Sequence, residues 1–149
     1  MGINKYVSEI KTINHNQQVI YNYLSNFENL SKYMNEGLLA KMNEQVPQIK
    51  ISDFESDQDS CRFNITGMGV AEIRIIEREP AKTIKVESSG KLPIGITFWI
   101  QLLPASAYET KMKLTLHAEM SAMIKMMVNK KLEEGINQLA DTFTKLPYH

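Results

Sequence analysis

Apolar positions recur along the chain at two spacings, and the change from one to the other marks out its elements. Residues 3–14 alternate loosely and predict a first strand. Asn14, His15 and Asn16 then offer N-cap chemistry, and Val19, Ile20, Tyr23, Leu24 and Phe27 follow at helical spacing. Leu30, Tyr33 and Met34 predict a second short helical turn, with Asn29 and Ser31 as caps. Residues 36–46 hold Leu38, Leu39 and Met42 in a pattern that favours neither period, and Pro47 closes them.

From residue 48 to residue 121 the period becomes two. Strands are expected at 49–55, 60–66, 70–78, 83–89, 94–103 and 109–120. Between them lie Asp57-Gln58-Asp59, Gly67-Met68-Gly69, Glu79-Pro80-Ala81, residues 90–93 and residues 104–107, all too short for crossover helices. The six strands therefore form an antiparallel meander. Met112, Leu114, Leu116, Ala118 and Met120 share one face of the last strand, and Lys111, Lys113, Thr115, His117 and Glu119 share the other. Cys61, Phe63 and Ile65, and likewise Ala71, Ile73 and Ile75, repeat that division. Ile96, Phe98, Ile100 and Leu102 join the apolar set, although Trp99 and Leu103 leave that strand's orientation open.

Residues 121–146 form the longest periodic segment. Ile124, Val128, Leu132, Gly135, Ile136, Leu139, Phe143 and Leu146 fall on one arc, with Lys130, Glu133, Glu134, Asn137, Asp141 and Thr144 opposite. One apolar sheet face and one long amphipathic helix, about 36 Å if wholly helical, must bury each other. The expected class is α+β.

Composition narrows the partners. At 149 residues the chain is expected to be a single domain, 1–149. Seventeen basic and seventeen acidic residues balance, so no nucleic-acid partner is expected. Cys61 stands alone, which excludes an internal disulfide and a cysteine zinc cluster. The first 14 residues lack the apolar core of a secretory signal, and no stretch approaches the ~18 consecutive apolar residues of a membrane span. A cytoplasmic location is expected.

A strand, two short helices, a six-stranded meander and a long C-terminal helix form a distinctive order. The run Val19-Ile20-Tyr21-Asn22-Tyr23-Leu24-Ser25-Asn26-Phe27-Glu28-Asn29-Leu30-Ser31-Lys32-Tyr33 is similar to a V-x-x-x-L-x-D-x-x-x-x-x-x-W/Y helix pair, with Asn26 at a commonly acidic position. Thr66-Gly67-Met68-Gly69, leading into Val70-Ala71-Glu72-Ile73, resembles a glycine-marked hairpin. Together they resemble the START-like (SRPBCC) superfamily, which includes the birch pollen allergens and the polyketide cyclase/dehydrase-like proteins. The resemblance spans essentially the whole chain. It implies a helix-grip fold: a curved antiparallel sheet of about seven strands wrapped on a long C-terminal helix, with an internal cavity between them. It also implies binding of sterols, lipids, polyketides or hormones, cyclase or dehydratase activity, or protein partners, without choosing among them.

The residues themselves show little catalytic chemistry. His15, His117 and His149 share no ligand spacing, and the acidic run Asp53, Glu55, Asp57 and Asp59 lacks the glycine and terminal glutamate of a calcium loop. Gly67-Met68-Gly69 precedes a strand, so it reads as a hairpin turn rather than a phosphate loop. No catalytic residue, metal ligand or cofactor is expected. Ser8, Thr12 and Ser88 are the polar candidates for the inner face, and none titrates near neutrality. If a reaction is catalysed, Tyr23, Tyr108 and Lys131 are its nearest candidates. The leading expectation is a pocket for a small hydrophobic or amphipathic molecule, lipid- or polyketide-like. Its lining is expected from Phe63, Ile73, Phe98, Met112, Leu114, Leu116, Met127 and Leu132, with Phe27 and Met34 near the entrance. Lys131 falls inside the apolar arc, either snorkelling to water or meeting an acidic group of the ligand. Gly135 either permits close packing or leaves room for a ligand. The alternatives are a cyclase or dehydratase and a protein–protein module. Met123 and Met126 project onto the polar side of the helix, covered by residues 92–96, by a second copy in a homodimer or, third, by a membrane surface, for which three nearby lysines are too few to anchor firmly. Stable membrane anchoring is not expected.

Overall fold

In the computed structural model, which describes residues 2–29, 44, 51–65, 69–89 and 95–148, eight strands form one antiparallel sheet. They are β1 (Gly2–Val7), β2 (Lys11–Ile13), β3 (Ile51–Ser56), β4 (Ser60–Ile65), β5 (Gly69–Glu79), β6 (Thr83–Ser89), β7 (Gly95–Ser106) and β8 (Glu109–Met120). Helix α1 (Gln17–Leu24) follows β2, and α2 (Ala122–Phe143) follows β8. The sheet order is β1-β8-β7-β6-β5-β4-β3, with β2 beside β1 on β8. The expected turn at Leu30, Tyr33 and Met34, residues 36–46, Gly67-Met68 and residues 90–94 lie outside the described residues.

The first strand is broken where one was expected. Val7 pairs with Thr115, but Lys11 pairs with Met112, so one extra residue is accommodated between them. Ser8 makes this bulge possible: its N–H donates to Leu114 O and its hydroxyl accepts from Leu114 N, both at 2.9 Å. The bulge resets the parity. Tyr6 and Ser8 turn inward, whereas Thr12, expected inward, pairs with Lys111 on the outer face. Lys11 takes the inner side instead and reaches Asp141 of α2 at 2.8 Å.

A second bulge, between Ser52 and Glu55 in β3, contains Asp53 at φ 54°. It places Phe54 beside Phe63, with ring centroids 6.5 Å apart and nearly parallel. The remaining strands keep the expected parity except at register shifts between Ile75 and Glu77 in β5, where Ile76 turns outward, and between Pro104 and Ser106 in β7. Ile100 pairs with Leu114 and Ile84 with Ile100, joining their side chains on one buried face. Trp99 and Leu103 belong to the other face.

α1 is capped by Asn16, whose side chain accepts from Gln18 N at 2.8 Å. Ile20, Tyr21 and Leu24 bury its inner side. Arg78 of β5 fastens its end, donating to Ser25 O at 3.0 Å and to Asp59 Oδ1 at 2.7 Å. Gln17 Nε2 donates to Ala81 O, in a β5–β6 turn where Ala81 adopts φ 63°. At the far end of the chain, α2 starts from a Ser121 cap, and Phe143, Leu146 and Tyr148 close over the core.

The acidic run proves to be a hairpin. Asp57 accepts from Asp59 N at 2.9 Å, Ser60 N at 2.8 Å and Ser60 Oγ at 3.0 Å. These bonds, led by the two backbone amides, hold its carboxyl below the ordinary value. A depressed native value adds stability above the unfolded pKa, near 3.8, that is lost as pH falls through the native one. Asp57→Ala should therefore destabilise the protein at neutral pH, and the difference from wild type should shrink below about pH 4. Urea unfolding at several pH values measures both.

Candidate functional site

The position of α2 over the sheet decides where space remains. The helix lies along β8 and β1, at one margin, rather than over the middle of the sheet. Three contacts hold that flank. Tyr6 Oη donates to Asn129 Oδ1 at 2.6 Å, Glu9 N donates to Asn137 Oδ1 at 2.8 Å, and Lys11 pairs with Asp141. Ile136, Ala140 and Phe143 are buried beside them. The other flank carries Ile124, Val128, Leu132 and Gly135, and all four are half-buried. A methyl group built on Gly135 would meet nothing within 4 Å. Close packing is therefore not why a glycine stands there, and that flank borders open space.

The sheet shows the complementary gradient. In β8, Met112 and Leu114 are fully buried, while Leu116 is half-buried. In β7, Ile100 and Leu102 are buried, while Phe98 and Ile96 are not fully covered. Val86 gives way to Ser88 in β6, Ile75 to Ile73 in β5, and Cys61 to Phe63 in β4. These changes all point toward the same end of the antiparallel sheet. Beyond these partly covered residues the inner face is buried again at Ala71, Ala118 and Met120, so the incomplete cover is confined to a patch around Phe63, Ile73, Phe98 and Leu116. The candidate site is this loosely covered apolar surface, with the stacked rings of Phe54 and Phe63 on its far side.

Polar groups are few around it. The Ser88 hydroxyl accepts from Ile96 N at 2.9 Å. Burial, with the nearby Glu133 charge, raises the Tyr6 phenol above its ordinary value, so it is a donor at neutral pH. Burial pushes the Cys61 thiol up to about 12, assisted by Asp57 and Glu72, which keeps it in the unreactive thiol form. Among the described residues no three His, Cys, Asp or Glu gather as a metal site would require.

The expected lining residues divide into three groups. Phe63, Ile73, Phe98, Leu116 and Leu132 come together around the looser region, with Lys131 half-buried on the same helix flank. Met112 and Leu114 lie in the filled core, and so does Phe27, whose backbone is tied to Gln58 and Ser56. Met34 lies outside the described residues. Met127 does not line the site, being 61% exposed. At about 100° per residue it lies roughly opposite Ile136, and the roll of α2 toward β1 that buries Ala140 turns Met127 out.

Other expectations are corrected in the same way. Leu139 is partly exposed, and Tyr108 is an exposed turn residue, remote from any enclosed space. Tyr23 packs edge-on against Tyr148, with ring centroids 5.2 Å apart. His15 is exposed beside Tyr148, and His117 lies on the outer face against Trp99 at 4.6 Å. Met123 and Met126 are exposed, and Leu92, Pro93 and Ile94 of their expected cover lie outside the described residues. The sequence reading missed Phe54, hidden by the β3 bulge, and Tyr6, hidden by the β1–β2 bulge. Asn129 was missed because a polar residue among apolar ones gives no sign of a partner on another element.

No protein-family model and no curated protein matches the sequence. Solved structures do match over nearly the whole chain. Norcoclaurine synthase from Thalictrum flavum, in complex with dopamine and hydroxybenzaldehyde, is 12% identical with a TM-score of 0.61, covering 97% of this chain and 86% of that one. A Rhizobium loti protein is 12% identical with a TM-score of 0.60, covering 97% and 98%. A Deinococcus radiodurans protein is 14% identical with a TM-score of 0.55, covering 95% of each chain. At these identities the likeness is one of fold.

The open flank of α2 has a direct test. Gly135→Ala should gain about 1 kcal/mol from helix propensity without a steric cost. The melting temperature should rise by roughly 2–4 °C for a chain of this size. A fall in thermal denaturation experiments would mean that the flank is closely packed.

Proposed function

We propose, from the helix-grip fold that this chain shares with the START-like (SRPBCC) superfamily, that the protein binds a small hydrophobic or amphipathic molecule between its sheet and the N-terminal half of α2. The ligand is lipid- or polyketide-like. Phe63, Ile73, Phe98, Leu116 and Leu132 supply apolar contact, and the Lys131 ammonium at the rim meets an acidic group on the ligand. One observation carries the reading: Phe63, Ile73, Phe98, Leu116 and Leu132 are only partly buried, and among the described residues a methyl at Gly135 would meet nothing within 4 Å. Apolar surface left uncovered inside a fold forgoes roughly 25 cal/mol per Å², which a bound apolar molecule recovers.

Native mass spectrometry of protein purified from cells, with thermal shifts against fatty acids, sterols and aromatic polyketides, tests the proposal. A bound species or a shift is expected. Gly135→Trp, which builds a ring into the open space, should weaken binding by at least about tenfold, or roughly 1.4 kcal/mol. Lys131→Met should weaken acidic ligands more than neutral ones of equal length. A stable protein with no bound species and no shift would overturn the reading and favour a protein-interaction module.

A further inference from the structure

One position of the inner face breaks its apolar pattern. Ile84, Val86 and Ser88 share the inner side of β6, the middle strand of the sheet order. Ile84 and Val86 are buried, whereas Ser88 is half-buried, and so are its cross-strand neighbours Ile73 on β5 and Ile96 on β7. Phe98 stands on the diagonal, opposite Val86. A hydroxyl therefore sits among apolar side chains inside the incompletely covered patch. The β6–β7 pairing runs from Thr83 and Gln101 to Glu87 and Thr97 and stops there. Beyond it the Ser88 hydroxyl replaces a strand carbonyl, accepting from Ile96 N at 2.9 Å, and that bond holds the oxygen in place. A serine hydroxyl also has a proton to donate, and among the described residues this one meets no acceptor.

We propose that Ser88 donates to a neutral carbonyl oxygen within the apolar body of the bound molecule, and so selects carbonyl-bearing ligands over hydrocarbons of the same shape. This selection rests on the ligand-binding reading and narrows the ligand's chemistry. A hydrocarbon lying on the patch would displace water from the Ser88 proton and offer nothing in return, and an unpaired donor in apolar surroundings is costly. A carbonyl at that point keeps the donor paired. A carboxylate does not suit the position, because Ile73, Val86 and Phe98 would strip water from the charge without countering it. An acidic group belongs with Lys131 on the helix, whereas Ser88 lies on the floor of the sheet at its middle strand. The two residues therefore read different parts of one ligand.

Two probes of nearly one shape, 2-acetylnaphthalene and 2-ethylnaphthalene, differ by a carbonyl in place of a methylene. Equilibrium dialysis of each against wild type, Ser88→Ala and Ser88→Thr isolates the hydroxyl's contribution. Ser88→Ala should weaken 2-acetylnaphthalene roughly fivefold or more and leave 2-ethylnaphthalene within about twofold. Ser88→Thr retains a hydroxyl and should retain the wild-type preference. Loss of the bond to Ile96 in Ser88→Ala affects both probes alike, so a purely structural serine leaves their ratio unchanged. Equal effects of Ser88→Ala on the two probes overturn the proposal and leave the pocket standing. So does a preference that Ser88→Thr loses as fully as Ser88→Ala. Binding of neither probe to wild type overturns it as well, and the pocket reading falls with it only if fatty acids and sterols also fail to bind.

Discussion

The seam between α2 and the β1–β8 margin governs the rest of the structure. A helix with one apolar stripe must lie on the one apolar face of the sheet, but hydrophobic burial is not directional and leaves its lateral position undecided. Directional contacts decide it. Tyr6 to Asn129, the Glu9 amide to Asn137, and Lys11 to Asp141 all pull the helix toward one edge. Tyr6 and Asn129 are the more consequential pair, since a buried hydroxyl without a partner costs roughly 1–3 kcal/mol. Lys11 and Asp141 lie nearer solvent, where an ion pair adds little.

Once α2 is held at that margin, the sheet is covered unevenly. The C-terminal half of the helix, with α1, fills the space over Ile84, Ile100, Met112 and Leu114. The N-terminal half leaves Phe63, Ile73, Phe98 and Leu116 with incomplete cover. A chain of this length can tolerate the arrangement because the filled end supplies a continuous core from Ile13 to Tyr148. The same roll of the helix that opens the inner flank turns Met127 outward beside Met123 and Met126, so the open flank and the exposed ridge have one geometric cause.

Much of the architecture was legible in the alternation of residues. The borders of β6 and β8, the long C-terminal helix and the antiparallel order follow from local rules: period two for strands, period 3.6 for the helix, and short polar turns between. The inner faces of β4, β5, β7 and β8 follow for the same reason, and with them the inward placement of Phe63, Ile73, Phe98 and Leu116. Parity misled at the bulges after Val7 and after Ser52, whereas the shift after Ile75 falls where Ile76 interrupts the alternation in the sequence itself. One added residue reverses every later side chain, and neither Ser8 nor Asp53 announces itself as a bulge in one sequence.

By itself the sequence determined which elements form and which side of each is apolar, because backbone sterics and hydrophobic period act over a few neighbouring residues. It could not determine how far α2 rolls on the sheet. That depends on hydrogen bonds and an ion pair between residues more than a hundred positions apart, and on whether a methyl at Gly135 would touch anything. Met127 and Ala140 mark the difference: both are apolar residues of one helix, and only the tertiary contacts of the opposite flank put Ala140 inside and Met127 in water.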